Sequence, residues 1–248
     1  MKINPWTTIA TWHKLRADNV LVYKVNTQDL TDIDGILSQA DYLSPLEVKR
    51  AKQYKYKKDH DTYLLARCAL RQITAQHLHI NPQDLSLHFG EYGKPYSPDY
   101  PKYHFNLSHS GDMILIGIAS SPLGVDVEYC NDTIDYLSIA NSVFSKEEIS
   151  SLTSLNSKHR GQAFYNIWTK KEAYIKAIGK GLQAPLVDFS LRAFDNGYSN
   201  LTSVKWDHQE CHNWQVFNVE MEGPYQAALS VGAGVGEVEL VGMGVMLS

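Results

Sequence analysis

Trp168-Thr169-Lys170-Lys171-Glu172-Ala173-Tyr174-Ile175-Lys176-Ala177-Ile178-Gly179-Lys180-Gly181 is the stretch on which the fold turns. Trp168, Glu172 and Lys176 are spaced four apart, so a helix places them on one stripe, and Gly179 is a natural C-terminal stop. The pattern extends backwards and predicts a long helix from about Arg160 to Ile178. A hairpin pattern follows: a strand over Gln215 to Met221, a turn at Glu222 to Pro224, and a strand over Gln226 to Val231. The same plan occurs earlier in the chain. Tyr63, Leu64, Ala66, Leu70 and Ile73 recur near helical spacing and predict a buried helix from Asp59 to about His77. His104 to Ser108, a Ser-Gly-Asp turn at 110 to 112, and Met113 to Ala119 then form a hairpin. This predicts two halves of similar α+β design, residues 1–120 and 121–248.

Outside these blocks, Val20 to Val25 is β-branched and aromatic and reads as a strand. Ser44-Pro45 opens a further helix, with Glu47 at capping-box spacing. Residues 81–103 carry six Gly and Pro positions, among them Gly93 and Pro95, and predict a loop-rich connector with one short strand near Ser86 to Phe89. The Gly/Val-rich tail from Val231 to Met246 is expected to be an edge strand or loosely ordered.

Composition narrows the function classes. The 248 residues are 44% hydrophobic and 20% charged, which is globular and sufficient for one and a half to two domains. The net charge of -4 argues against a protein devoted to nucleic acid. Cys68, Cys130 and Cys211 have no paired short spacing, so neither a thiolate zinc site nor a disulfide framework is expected. The first twenty residues lack the apolar run of a secretory signal, and no run of about 18 apolar residues occurs. A cytoplasmic, non-membrane protein is expected.

Several groups could carry chemistry. Gly124-Val125-Asp126-Val127-Glu128 alternates as a strand, which projects Asp126 and Glu128 from one face. Two carboxylates repel by about 4 kcal/mol at 4 Å in an effective dielectric of 20, so a partly buried pair calls for a cation. On an open edge the same pair would only be a solvated acidic face. Glu172 and Lys176 by themselves would be a surface ion pair contributing about 0.3 to 0.5 kcal/mol, but a stripe shared with Trp168 is a poor place for a purely exposed pair. His109, between Ser108 and Ser110, can bind an anion or serve as a structural group, and Lys94 on the Gly93-Lys94-Pro95 turn supplies a further cation. Lys49, Arg50, Lys52, Lys55, Lys57 and Lys58 form a basic run interleaved with Tyr54 and Tyr56, either a solvated face or a receiver of phosphates. There is no Gly-x-Ser-x-Gly elbow around Ser108 or Ser110, no phosphate loop, and no Gly-x-Gly-x-x-Gly after a strand.

In this order, the Gly93 to Pro95 turn, Phe105 to Ser110, Gly124 to Glu128, Phe144-Ser145-Lys146-Glu147-Glu148, and Trp168 to Leu182 resemble the 4'-phosphopantetheinyl transferases of the surfactin-synthetase-activating (Sfp) type. The resemblance covers Leu43 to about Phe189. It implies a pseudo-dimer of two similar α/β halves, with coenzyme A and magnesium in the cleft between them. It implies Asp126, Glu128 and Glu172 as the metal carboxylates, with Glu172 also the candidate base. Lys171 and Lys176 are implied as phosphate-facing cations, Ser108 and His109 as contacts to the nucleotide phosphates, and Lys94 with Arg50 or Lys52 as contacts to the nucleotide end. Where many relatives carry a basic residue for the 3'-phosphate, this chain has Thr62, so the run around Arg50 must compensate.

The implied reaction is attack by the serine hydroxyl of an acyl or peptidyl carrier protein on the β-phosphorus of coenzyme A, releasing 3',5'-adenosine diphosphate. Asp126, Glu172 and Lys176 carry the catalytic roles. Manganese is an alternative ion, because both metals favour oxygen ligands. The expected partners are the carrier and coenzyme A, without nucleic acid or membrane, and the expected state is a monomer. Two further readings use the same residues: a magnesium-dependent hydrolase of a diphosphate small molecule, and a non-catalytic module that binds coenzyme A or a carrier.

Overall fold

The computed structural model describes residues 2–3, 7–8, 13–38, 40–192 and 198–242. The elements that matter for function are β1 (Asn19–Asn26), α1 (Pro45–Ala51), α2 (Lys57–Leu78), β2 (His104–Ser110), β3 (Met113–Ala119) and β4 (Leu123–Tyr129). They continue with α3 (Lys146–Ser154), α4 (Ser157–Ala177), β5 (Phe189–Leu191), β6 (Trp214–Val219), β7 (Tyr225–Gly232) and β8 (Glu237–Gly242). The chain divides into two compact units, one of residues 1–88, 95–120 and 236–248, the other of residues 89–94 and 121–235. Each combines a long helix with a sheet, which is the α+β architecture of two similar halves.

In the first unit β1 lies between β3, antiparallel, and β8, parallel, with β2 beyond β3. Val20, Leu21, Val22, Tyr23 and Val25 of β1 are all buried, as a strand covered on both faces requires. Leu65, Ala66, Ala69, Leu70 and Ile73 of α2 pack on Leu21, Tyr23, Phe105, Ile114 and Ile116. Burying each large aliphatic side chain contributes about 1.5 to 3 kcal/mol. The capping box at Ser44 forms as expected. Its Glu47 also turns inward to Arg67 Nε at 2.7 Å and to Arg71 at 2.9 Å, tying α1 to α2.

The tail corrects an expectation. Residues Glu237–Gly242 form an interior strand of the first unit's sheet, flanked by β1 on one side and the short strands Lys2–Ile3 and Thr7–Thr8 on the other. Val238, Leu240 and Val241 are buried there, so this segment departs from a simple division at residue 120. Met246 lies outside the described residues.

In the second unit β4, β7 and β6 form an antiparallel sheet, with Asp126 opposite Ala228 and Glu128 opposite Gln226. Helix α4 crosses the unit's interior. Its first half packs with Phe144 and Leu152, and its second half, through Tyr174 and Ile175, with Phe189, Leu191 and Val216. It ends as its sequence predicts: Gly179 adopts φ +72°, and the Lys180 and Gly179 amides donate back to the carbonyls of Ile175 and Lys176. No helix among the described residues is long and apolar enough to cross a membrane.

Candidate active site

Strand β4 and helix α4 bring together two stripes of nearly equal length. Eight residues of helix at about 1.5 Å each carry Trp168 to Lys176 over about 12 Å. Four residues of strand at about 3.3 Å each carry Gly124 to Glu128 over about 13 Å. The two run in opposite directions. The Trp168 indole Nε1 donates to Glu128 Oε1 at 3.3 Å, and Lys176 Nζ donates to Asp126 Oδ1 at 2.6 Å. Glu172 stands on the helix stripe between these two contacts.

Gly124 makes this approach feasible. A Cβ at that position would stand 2.1 Å from the Ala173 carbonyl oxygen, 2.5 Å from the Ala177 nitrogen and 2.9 Å from Lys176 Cβ. Any larger residue holds the helix off the strand, and the Lys176–Asp126 bond depends on that contact.

The electrostatics of the cluster are unbalanced. Asp126 is 2% exposed and Glu172 is 9% exposed. Burial pushes the Glu172 carboxyl up to about 7, the Asp126 and Glu128 charges add to the rise, and Lys176 opposes it. Glu172 Oε1 is buried with no hydrogen-bond partner among the described residues. Among the described contacts, three carboxylates share a partly desolvated place with Lys176, and acidic groups predominate.

A divalent cation fits that imbalance in donor type, since carboxylate oxygens are the hard ligands magnesium takes. Among the described residues, no three carboxylates, imidazoles or thiolates form a ready ligand cluster. Lys176 and Trp168 hold two of the three carboxylates instead. The residue types and the orphaned Glu172 oxygen are compatible with the ion.

The other expected site residues divide by unit. Ser108 and His109 lie on β2, opposite Leu115 and Ile114, with Ser108 7% exposed. Arg50 is exposed near the end of α1 and Lys52 is exposed just beyond it, while Thr62 is buried within α2. These belong to the first unit, and the carboxylates, Lys94 and Lys176 to the second.

Lys171 requires a correction. It was expected to face phosphate, but it is fully buried, with Nζ donating to Glu148 Oε2 and to the Phe189 carbonyl, each at 2.8 Å. Its ammonium also lies 4.0 Å from the Phe189 ring centroid. One residue along a helix turns the side chain by about 100°, so Lys171 looks away from the Glu172 stripe and into the core. Its place is structural, joining α3, α4 and β5.

Models of two families match the chain: that of the 4'-phosphopantetheinyl transferase superfamily over residues 122–230, and that of the 4'-phosphopantetheinyl transferase N-terminal region over residues 33–122. The 4'-phosphopantetheinyl transferase Sfp of Bacillus subtilis (strain 168) is 31% identical over 188 residues, covering 76% of this chain and 81% of its own. The chain belongs to the 4'-phosphopantetheinyl transferase family. Two further members from Bacillus subtilis agree: the transferase ffp, 36% identical over 63% of this chain and 69% of its own, and a second transferase, 35% identical over 66% and 71%.

As a phosphopantetheinyl transferase, the protein is an enzyme whose work is moving a phosphopantetheine group, and the Asp126–Glu128–Glu172–Lys176 cluster is the candidate place for it. Sequence reasoning did not foresee three contacts that support this candidate site. Trp168 was placed on the stripe, but its bond to Glu128 was not foreseen. Glu148 is 1% exposed and accepts from the Ser145 and Leu191 amides as well as from Lys171. Its signal was the Ser145-to-Glu148 capping spacing, which forms a full capping box at the start of α3. Lys94 was expected at the nucleotide end, but its ammonium donates to the carbonyls of Leu123 and Ala177.

Proposed function

We propose that this transferase moves 4'-phosphopantetheine from coenzyme A to a serine of an acyl or peptidyl carrier protein, with magnesium, and releases 3',5'-adenosine diphosphate. The observation that carries the reading is a carboxylate oxygen on Glu172 that is buried with no hydrogen-bond partner among the described residues, flanked by the Lys176–Asp126 pair on one side and Glu128 on the other. The serine oxygen bonds to the β-phosphorus, the bond from that phosphorus to the bridging oxygen of the nucleotide breaks, and the serine proton goes to Glu172. Glu172 is assigned to that proton because one of its oxygens is buried with no hydrogen-bond partner among the described residues. Lys176 offers an ammonium to the charge that grows on the diphosphate oxygens. Asp126, Glu128 and Glu172 are the residues that would hold a magnesium ion, which when bound would supply positive charge for the diphosphate. Ser108, His109, Arg50 and Lys52 are assigned to the coenzyme's nucleotide phosphates.

The free thiols of Cys68, Cys130 and Cys211 accord with a reducing cytoplasm, and the reading takes the enzyme as a monomer. Incubation with an apo carrier protein, coenzyme A and magnesium tests the proposal by mass spectrometry of the carrier serine. Transfer onto wild-type carrier, absent with Glu172→Gln enzyme that melts normally, is the expected result. Nucleotide release without modification of the carrier would make the chain a hydrolase. Neither release nor modification would make it a binding module.

A further inference from the structure

We propose that Lys94 is a positioning residue for the transfer: by bridging a carbonyl of β4 and a carbonyl at the end of α4, it fixes the register at which the carboxylate strand meets the Glu172 helix. The inference rests on the reading of the carboxylate cluster as the site of transfer.

Lys94 Nζ donates to the Leu123 carbonyl at 2.9 Å and to the Ala177 carbonyl at 2.8 Å. Leu123 directly precedes Gly124, and Ala177 directly follows Lys176. The bridge therefore stands beside a close approach of strand to helix, where a Cβ on Gly124 would meet the Ala177 nitrogen at 2.5 Å. From there Asp126 is three residues along the strand from Leu123, and Glu172 is five back along the helix from Ala177. A slip at the bridge is carried rigidly to both.

The choice of lysine follows from the acceptors. Ala177 is the last residue of α4, and its carbonyl is one of those a helix end leaves without an intrahelical donor. The Leu123 carbonyl, at the first residue of β4, is the second acceptor. An ammonium carries three donors and satisfies both at once. It also places a cation at the negative end of the helix dipole. The loop that delivers it is closed by its own bonds, with the Gly90 amide donating to the Lys94 carbonyl and the Gly93 amide to the Gly90 carbonyl, each at 2.9 Å. Burial draws the Lys94 pKa down to about 8, as expected for an ammonium withdrawn from water. A side chain engaged in this way acts through the geometry of α4 and β4, not by gripping nucleotide.

Steady-state kinetics in coenzyme A and in magnesium, for wild type, Lys94→Met and Lys94→Arg, distinguish the two roles. Positioning predicts that Lys94→Met lowers kcat about ten- to hundred-fold, as a misplacement near 1 Å does, with the coenzyme KM within about two-fold. It also predicts that the half-saturating magnesium concentration rises, and that Lys94→Arg, which still offers two donors, recovers most of kcat. A raised coenzyme KM at unchanged kcat would overturn the proposal in favour of a nucleotide contact, and wild-type behaviour of Lys94→Met in both titrations would overturn it outright. If Lys94→Met does not fold, Lys94→Gln is read by the same criteria. The rise in melting temperature with magnesium alone is a readout that needs no turnover. Wild-type enzyme that modifies no carrier defeats the functional reading, and the positioning role is then decided by whether the Lys94 variant loses that magnesium response, which supports it, or keeps it, which overturns it.

Discussion

Gly124→Ala is a single added methyl, and its effect can be worked from the structure. The new Cβ would sit 2.1 Å from the Ala173 carbonyl oxygen, whereas ordinary contact begins at 3.4 Å, so strand and helix must part by about 1.3 Å. Two effects oppose each other. Replacing glycine restricts the unfolded chain and by itself stabilises by about 0.4 to 1 kcal/mol. Overpacking a tight core contact costs about 1 to 3 kcal/mol, and here the clash is with backbone that cannot rotate away. The steric term wins, and the variant melts below wild type. Activity falls further than stability. The same separation would shift Glu172 and the Lys176 backbone relative to Asp126 and strain the Lys176–Asp126 bond. A displacement of about 1 Å at a reacting centre costs on the order of a hundred-fold in rate. The assay is single-turnover transfer to an apo carrier at saturating coenzyme A and magnesium, run below the variant's melting temperature, beside a thermal melt. Wild-type rate and melting temperature in Gly124→Ala would refute the claim that close contact of α4 and β4 sets the geometry of the site.

Lys171→Met should destabilise by about 3 to 5 kcal/mol in urea unfolding, because it strands the buried Glu148 charge; Lys171→Met with Glu148→Gln should recover part of that loss. Magnesium should raise the melting temperature of wild type and not of Asp126→Asn, as judged by thermal shift without substrates. Stability should fall in acid through two groups of the first unit. His77 has its pKa drawn from 6.5 to about 4 by burial and then by the His79 and His13 charges, so its contribution is complete above pH 6.5 and is lost as pH falls towards 4. Burial alone would raise the Glu47 carboxyl, but the Arg67 charge and the bonds from Arg71 and Ser44 hold it below 4.5, so its contribution disappears as pH falls through that depressed value. Melting temperatures of wild type, His77→Asn and Glu47→Gln from pH 7 down to about pH 2 check both: His77→Asn should flatten the upper part of the decline and Glu47→Gln the lower part.

Local chemistry made much of the molecule legible from its residues. The period of two in Gly124 to Glu128, the four-residue spacing of Trp168, Glu172 and Lys176, the Ser44 capping box and the Gly179 stop depend on neighbours a few positions away, and all four take the form they predict. The carboxylates and Lys176 could be nominated for the same reason: a strand stripe and a helix stripe each announce their own face.

Long-range partners decided the rest. Lys171 and Lys176 are both lysines of one helix, yet the first is sealed against Glu148 and the second reaches Asp126, since burial depends on what packs around α4 and not on residue type. Lys94 bonds to residues 29 and 83 positions away, and β8 finds β1 across more than two hundred residues. Sequence spacing carries no information at such separations, because the free energy of those contacts exists only once strands and helices have packed. The amino-acid order determined the elements and the faces they show; the fold alone determined which cations stand beside the carboxylates and which are committed to holding the framework.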